Sequence, residues 1–271
     1  MKLAIISDIH ANLEALQATL RKISAQTVDR IVCLGDIVGY NANPAECISL
    51  LRESNVLCIA GNHDRAVTGQ ITTEGFSHTA ARAVAWTRRH LGPDDIAFLA
   101  ALPLKLRIAK HLVVVHGALH PETGCELVRL TSDELRRLSF KALAADPSGA
   151  HVCAFGNTHR LGIFELRDDD EIRARNGDEV FLHEDAYYLI NPGTVGCSLT
   201  TDPRATYFLF DVARQLIVVQ RVEYDTAASR AKTRTAGLLD RSSSLPAAVR
   251  TPLKWGARAL GVYDRLKRAG W

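Results

Sequence analysis

The stretch LAIISDIHANLEAL, residues 3–16, sets a pattern that the rest of the chain repeats. Residues 3–6 form an apolar run of strand length, and Leu and Ile then recur through residues 13–23 at the spacing of one helix face. Two more apolar runs follow at residues 31–34 and 56–60, with a helical pattern between them. This alternation predicts right-handed βαβ units and a sheet covered by helices.

The second half of the chain has shorter connections between its apolar runs. The predicted strands here cover residues 112–115, 152–155, 162–166, 180–183, 187–190, 207–210 and 216–222. Asn176-Gly177 falls between two of them and predicts a hairpin turn. We therefore expect one α/β domain with two packed sheets.

Charge is distributed unevenly along the 271 residues, which are 47% apolar and 23% charged. The net charge is only +3, so bulk composition does not indicate a nucleic-acid-binding protein. Residues 226–271 carry ten Lys or Arg and two Asp or Glu, a net charge of +8, which leaves −5 for residues 1–225. We therefore predict a main domain over 1–225 and a basic linker and helical tail over 226–271.

The tail has three interpretations. Residues 226–245 have a linker composition, and residues 246–271 have a helical pattern with an apolar side and a cationic side. Such a helix is expected to dock on the main domain by its apolar side, but it could also contact nucleic acid or lie on a membrane surface. A homo-oligomer is left open as well.

Targeting signals and cysteine motifs are missing from the sequence. No apolar run reaches the ~20 residues of a membrane span, and the apolar start of the chain is interrupted at Asp8. The six cysteines form no CxxC pair, and Cys33, Cys58 and Cys153 lie within predicted strands, which is typical of buried free thiols. These features predict a cytoplasmic protein.

Polar side chains follow five predicted strands at the point where each one ends. They are Asp8 and His10, Asp36, Asn62 and His63, His116, and Asn157 and His159. Because ligands of open α/β sheets bind at the carboxyl ends of the strands, we expect these residues to converge. Asp8 and His10 are two residues apart, so an extended segment would point both side chains the same way.

The residue types predict a metal site. Each residue taken alone is more simply interpreted as a helix cap, a turn residue or a surface histidine, but five such coincidences at one edge favour a shared function. Carboxylate, amide and imidazole ligands suit manganese, iron, zinc or nickel and do not suit an iron–sulfur cluster. The set is large enough for two ions with Asp36 between them, and paired ions generate a hydroxide nucleophile for displacement at phosphorus.

The ordered motifs Asp8-x-His10, Gly35-Asp36, Gly61-Asn62-His63-Asp64, His116-Gly117 and Gly156-x-x-His159 resemble those of the calcineurin-like metallophosphoesterase superfamily. SDIHANLEAL, CLGDIVGYNANP, GNHDRAV and NPGTVG are similar to its small bacterial and archaeal phosphoesterase branch. The resemblance covers about residues 1–225. It implies a four-layer αββα sandwich of two packed mixed sheets, here with a C-terminal helical extension.

The resemblance also implies roles for individual residues. One divalent metal would be held by Asp8, His10, Asp36 and His159, and a second by Asp36, Asn62, His116 and Asn157. His63 would stand beside the leaving group as an acid or a phosphate contact. Asn12 and Arg204 are weaker candidates for contacting the substrate.

Two departures from the family pattern affect these expectations. The usual Gly-His-x-His motif is Gly156-Asn157-Thr158-His159 here, so the second metal should be held more weakly or be a harder ion. Manganese is therefore favoured, with magnesium, iron, zinc and nickel as alternatives. The residues after Asp36 also lack the Asp-Arg pair of protein Ser/Thr phosphatases.

The function predicted from these residues is hydrolysis of phosphomonoesters or phosphodiesters of small molecules or nucleotides at a dinuclear metal centre. The alternatives are a dinucleoside polyphosphate hydrolase, a nuclease that uses the basic tail, and a non-catalytic scaffold like the superfamily member of the retromer coat. Asn157 is the one feature that favours the scaffold.

Overall fold

Two six-stranded sheets form the centre of the molecule. The computed structural model describes residues 1–108, 112–120, 128–167 and 169–239. Its strands are β1 (Lys2–Ile6), β2 (Arg30–Cys33), β3 (Leu57–Cys58), β4 (Lys105–Ile108), β5 (Leu112–Val115), β6 (Val152–Ala154), β7 (Leu161–Leu166), β8 (Ile172–Arg175), β9 (Glu179–Phe181), β10 (Tyr187–Pro192), β11 (Ala205–Asp211) and β12 (Leu216–Val222). Its helices are α1 (Leu13–Ser24), α2 (Pro44–Glu53), α3 (Asn62–Thr68), α4 (His78–His90), α5 (Pro93–Ala101), α6 (Asp133–Ala144) and α7 (Thr226–Thr235).

Both sheets are mixed. The first has the order β3-β2-β1-β11-β12-β9, in which β1, β2 and β3 are parallel and β11, β12 and β9 join by antiparallel pairing. The second has the order β4-β5-β6-β10-β7-β8, with β5, β6 and β10 parallel. The carboxyl ends of the parallel strands therefore gather at one edge of each sheet.

Alternation of side chains along the strands divides the core into three layers. In β1, Leu3 and Ile5 face the second sheet, whereas Ala4 and Ile6 face the helices. In β5, Leu112 and Val114 face the first sheet, and the neighbouring valines pack toward α6. Helix, sheet, sheet and helix are thus stacked in that order, which confirms the predicted four-layer αββα sandwich.

The predicted hairpin at Asn176-Gly177 is wrong. These residues connect β8 to β9, but β8 pairs with β7 in the second sheet and β9 pairs with β12 in the first. The turn therefore passes the chain from one sheet to the other. The hairpin partner of β7 is β8, a four-residue strand in which charged and apolar residues alternate and which the sequence analysis did not identify.

Other differences concern short elements. The third predicted strand is only two residues long, as β3, and Asn62 begins helix α3, which was not predicted. Residues 226–235, predicted to be linker, form α7, whose Lys232 pairs with Glu14 of α1 at 2.5 Å. The helices predicted within residues 246–271 lie outside the described residues. Among the described helices, none is long and apolar enough to cross a membrane.

Candidate metal centre

The predicted site residues come from the carboxyl ends of strands in both sheets. Asp8, Asp36 and Asn62 follow β1, β2 and β3 of the first sheet. His116 follows β5 of the second sheet, and residues 157–159 follow β6. The two sheets pack against each other, so their edges meet and bring residues from distant parts of the sequence to one place.

Left-handed backbone at the strand ends, and not an extended segment, directs the side chains. Asp8 and His10 have φ of 54° and 50°, so the predicted extended Asp8-x-His10 segment is wrong. Asp36, Asn157 and His159 also have positive φ, at 53°, 62° and 57°. Such conformations cost about 1 kcal/mol or more per residue and concentrate at functional sites.

Backbone hydrogen bonds between loops hold this conformation. The amides of Asp8 and His10 donate to the carbonyls of Gly35 and Asp36 at 3.1 and 2.9 Å. Gly61 lets the loops approach closely, because a Cβ there would lie 2.2 Å from Asp36 Oδ1. Gly156 has the same role beside Asp8, where a Cβ would lie 2.9 Å from Oδ2. The predicted need for close approach at these two glycines is confirmed.

Four buried side chains converge on one point. The ligand atoms of Asp8, His10, Asp36 and His159 all lie within 4.8 Å of one another. His159 Nε2 is 3.1 Å from His10 Nε2 and 3.3 Å from Asp8 Oδ1, and His10 Nε2 is 3.5 Å from Asp36 Oδ2. This is the set that the resemblance implied for the first metal.

The tautomers of these histidines test whether a cation fits. Nδ1 of His10 lies 3.2 Å from the Val38 carbonyl, and Nδ1 of His159 lies 2.7 Å from the Cys197 carbonyl. A carbonyl only accepts, so both Nδ1 atoms carry a proton, and the two Nε2 atoms face each other at 3.1 Å. The Asp8 atom Oδ1 is fully buried and has no hydrogen-bond partner. When His159 is protonated, its Nε2 donates to His10 Nε2. Once that proton is lost, two Nε2 lone pairs and Asp8 Oδ1 face one point, which fits a bound cation.

A second group of candidate ligands adjoins the first through Asp36. His116 Nε2 lies 3.4 Å from Asp36 Oδ2 and 3.1 Å from Asn62 Oδ1, while its Nδ1 lies 2.7 Å from the Leu34 carbonyl. The same Asp36 oxygen is thus nearly equidistant from His10 and His116. The backbone N–H of Asn157 donates to Asp8 Oδ2 at 3.2 Å, and Asn157 lines the same cavity as Asn62.

Charges within the centre shift several pKa values. Burial alone lowers the pKa of both His159 and His116, but Asp8 raises the pKa of His159 to about 10 and Asp36 raises that of His116 to about 9. Burial lowers the pKa of His63 to about 4. Burial also raises the pKa of Asp64, to about 7, although its carboxylate accepts from the amides of Val38 and Gly61.

His63 lies beside the candidate ligands His10 and Asp36 in a row of rings. Its ring centroid is 4.8 Å from that of His10 and 4.7 Å from that of Tyr40, and its amide donates to Asp36 Oδ1 at 2.8 Å. Its Nδ1 is buried without a hydrogen-bond partner and faces Gly39, where a Cβ would lie 2.5 Å away. With a pKa of about 4, the His63 ring is neutral at pH 7.

The centre opens into a cavity of about 750 Å³. Its walls include four residues that the sequence analysis missed, namely Tyr40, Phe76, Arg129 and Leu199. Tyr40 could have been found from its position four residues after Asp36, but Phe76, Arg129 and Leu199 carry no motif. Arg129 donates to the Asn157 carbonyl at 3.0 Å and so fixes the loop that carries the departure from the family pattern.

The two predicted substrate contacts are not brought to this cavity. The Asn12 side chain caps α1 by accepting from the Ala15 amide, and it donates to the Gly196 carbonyl at 2.9 Å. The Arg204 guanidinium pairs with Asp202 at 2.7 Å in an exposed turn. Helix capping and a local ion pair account for these two residues.

Comparisons with known proteins agree with this geometry. Residues 1–215 match the model of the calcineurin-like phosphoesterase superfamily domain. An uncharacterized protein of Methanocaldococcus jannaschii is 35% identical over 227 residues, which are 82% of this chain and 88% of that protein.

Solved structures extend the likeness to the whole fold. A metallophosphoesterase from Sphaerobacter thermophilus is 34% identical with a TM-score of 0.72, over 93% of this chain and 97% of that one. A hypothetical protein from Pyrococcus horikoshii OT3 is 19% identical with a TM-score of 0.66, over 92% and 96%, and is similar in fold. By its motifs, its fold and these matches, this chain belongs to the calcineurin-like phosphoesterase superfamily.

Proposed function

We propose that this protein hydrolyses phosphomonoesters or phosphodiesters at a centre of two divalent metal ions. The observation that carries the proposal is the Asp36 carboxylate, whose Oδ2 lies 3.5 Å from His10 Nε2 and 3.4 Å from His116 Nε2. One carboxylate oxygen between two imidazole nitrogens is an arrangement that suits a pair of cations. Paired divalent ions supply a hydroxide nucleophile and stabilise charge in an in-line displacement at phosphorus.

The side chains divide between the two proposed positions. Asp8, His10 and His159 would hold the first ion, and Asn62, His116 and Asn157 would hold the second, with Asp36 common to both. The amide oxygens give the second position a harder ligand set than a histidine would, which supports manganese or magnesium there. Manganese, which accepts imidazole and oxygen ligands alike, suits both positions.

His63 is proposed to act on the leaving group. Its ring contacts the rings of His10 and Tyr40 and faces the cavity, so an ester bound to cations held by Asp36 would have an oxygen beside it. Since His63 is neutral at pH 7, it would donate a hydrogen bond to a phosphate or leaving-group oxygen. Of the two roles that the resemblance implies, this favours the phosphate contact.

The experiment is to load metal-free protein with manganese and measure metal content together with hydrolysis of an activated aryl phosphate and an aryl phosphodiester. We expect about two ions per chain, and we expect Asp36→Asn to lower activity by at least about 10³-fold, since it removes the shared ligand. Asp94→Asn, an exposed change in α5, is the matched control. Full activity in Asp36→Asn would refute the proposal.

The same measurement distinguishes the proposed enzyme from a non-catalytic scaffold. A scaffold would retain near-zero metal after loading and would hydrolyse neither ester. Buried Asp8 Oδ1 has no hydrogen-bond partner and lies 3.3 Å from His159 Nε2, so a cation between these two atoms would satisfy both, which argues for metal uptake.

A further inference from the structure

Phe76 occupies a position that the proposed chemistry leaves unexplained. It lies two residues before the start of α4, and it lines the cavity together with the first turn of that helix. Its amide donates to the Thr73 carbonyl at 3.1 Å, and the next residue, Ser77, caps the helix by accepting from the Ala80 amide at 3.1 Å. The backbone on both sides of Phe76 is therefore held by hydrogen bonds.

A continuous row of rings leads from the metal ligands to Phe76. The His10 and His63 centroids are 4.8 Å apart, and the His63 and Phe76 centroids are 5.1 Å apart. Phe76 is thus one ring beyond the residue proposed to contact the leaving group. A group attached to the oxygen beside His63 would extend along this row and meet the Phe76 ring next.

The size and lining of the cavity suit a substrate with a large organic group. Its volume of about 750 Å³ falls within the ~300–1,000 Å³ of pockets for drug-sized ligands and far exceeds what an inorganic phosphate fills. Leu199, 55% exposed, lines the same cavity. An aromatic ring and an exposed aliphatic side chain beside a polar metal centre match a ligand that is anionic at one end and apolar and flat at the other.

We propose that Phe76, with Leu199, forms a subsite that stacks against an aromatic or nucleobase group of the phosphoester, so that such esters are preferred over small aliphatic ones. This inference rests on the proposed function, since the phosphoryl group must bind at the metal edge for its organic group to reach Phe76. Phe76 is a specificity residue here and takes no part in the bond changes.

A packing role for Phe76 must be separated from this one, because one side of the ring packs against the helix-side core. Loss of packing would weaken every ligand alike, whereas loss of stacking would weaken only ligands that carry a ring. The decisive quantity is therefore a ratio of affinities for two ligands with the same charged head.

The test uses phenylphosphonate and methylphosphonate, which share a head group and resist hydrolysis. Isothermal titration calorimetry on the manganese-loaded protein should give phenylphosphonate an affinity about tenfold higher, as expected for one stacked ring. In Phe76→Ala and Phe76→Leu the ratio should fall to about one to three, and Phe76→Tyr should retain it. Thr79→Ala, a change of another cavity residue, is the matched control and should also retain the ratio.

The outcomes distinguish this inference from the proposed function. A wild-type ratio near one, or an unchanged ratio in both Phe76→Ala and Phe76→Leu, would overturn the subsite while leaving a phosphoryl site in place. Binding of neither phosphonate to protein that contains manganese would count against the proposed function, and this inference would fall with it. Circular dichroism melts of each variant show that the compared proteins are folded.

Discussion

The two proposed metal positions share Asp36 but differ in the side chains that complete them. The first combines two carboxylates with two imidazoles, all buried, and all four ligand atoms lie within 4.8 Å. The second combines the shared carboxylate with one imidazole, from His116, and two asparagine amides. A neutral amide oxygen adds a dipole where a carboxylate would add a full charge, so the first position should bind its ion more tightly.

The two proposed positions also differ in which sheet supplies most of their ligands. The first position draws three of its ligands from the loops after β1 and β2, whose backbones are joined by hydrogen bonds. The second depends on Asn62 at the start of α3 and on residues that follow β5 and β6 of the other sheet. Packing between the sheets therefore matters more for the second position than for the first.

Gly61→Ala should break both positions at once and have the largest effect. The new Cβ would lie 2.2 Å from Asp36 Oδ1 and 2.3 Å from the Asp36 amide, and the backbone cannot move away cheaply. We expect loss of both ions and a fall in activity of at least about 10³-fold. Elemental analysis and ester hydrolysis measure this, with Gly92→Ala as control because its Cβ meets no atom closer than 3.9 Å. Retention of two ions would show that the loops relax.

His159→Ala and Asn62→Ala should separate the positions. Loss of His159 removes an imidazole from the first position, and we expect manganese affinity there to fall by about 10²-fold or more, since even indirect partners of metal ligands are worth about 10–100-fold. Loss of Asn62 should affect the second position alone and leave one tightly bound ion. Competition with a graded chelator resolves the two affinities. Equal weakening of both ions in both variants would contradict the division of ligands.

Raising the pH should strengthen metal binding but lower the stability of the metal-free protein. His159, with a pKa of about 10, and His116, with a pKa of about 9, must each lose a proton when a metal binds, so affinity should rise by up to about tenfold per pH unit between roughly pH 6 and 9. Without metal, both pKa values exceed the unfolded value of about 6.5, so their stabilisation is complete below that pH and is lost as pH rises through about 9 to 10.

Thermal melts in manganese and in chelator, across this pH range, measure both effects. Titration calorimetry in buffers of different ionisation enthalpy should also count about one released proton per ion. A parallel pH dependence of the two melts would show that these histidines do not ligate the ions.

Asn157→His should have the smallest effect of these changes, and it should alter the second position alone. It restores an imidazole to the second position and should raise zinc affinity there by roughly three- to tenfold, because imidazole suits zinc better than an amide oxygen does. The ion at the first position should be unaffected. Chelator competition with zinc and with magnesium measures the change, and a gain for magnesium instead would contradict the assignment of residue 157 to this position.

Much of this molecule could be predicted from local patterns. Strand-length apolar runs and helix-face periodicity located β1, α1 and α2, and the polar residues after each strand located the site. Short elements were predicted poorly. Strand β3 has only two residues and strand β8 is highly charged, so neither shows a clear hydrophobic periodicity. The hairpin prediction at Asn176-Gly177 was wrong because these residue types favour a reversal of the chain. Whether the two flanking strands then pair with each other depends on partners that are distant in the sequence.

Four further expectations from the sequence stay predictions. These are a cytoplasmic location, a homo-oligomer, binding of nucleic acid through the basic tail, and the division of the chain at residue 225. The tail interpretations fall mainly on residues beyond 239, outside the part of the chain that the structure describes.

Residue order by itself determined the superfamily, the layered α/β class and the identity of the candidate ligands, because ligand chemistry and strand periodicity are written in neighbouring residues. The tertiary structure shows that the ligand atoms of Asp8, His10, Asp36 and His159 converge, that Asn12 and Arg204 do not line the cavity, and that Phe76 and Arg129 do. These depend on left-handed loop backbones and on contacts between residues many positions apart. Local sequence patterns do not predict such contacts, because only long-range packing brings these side chains together.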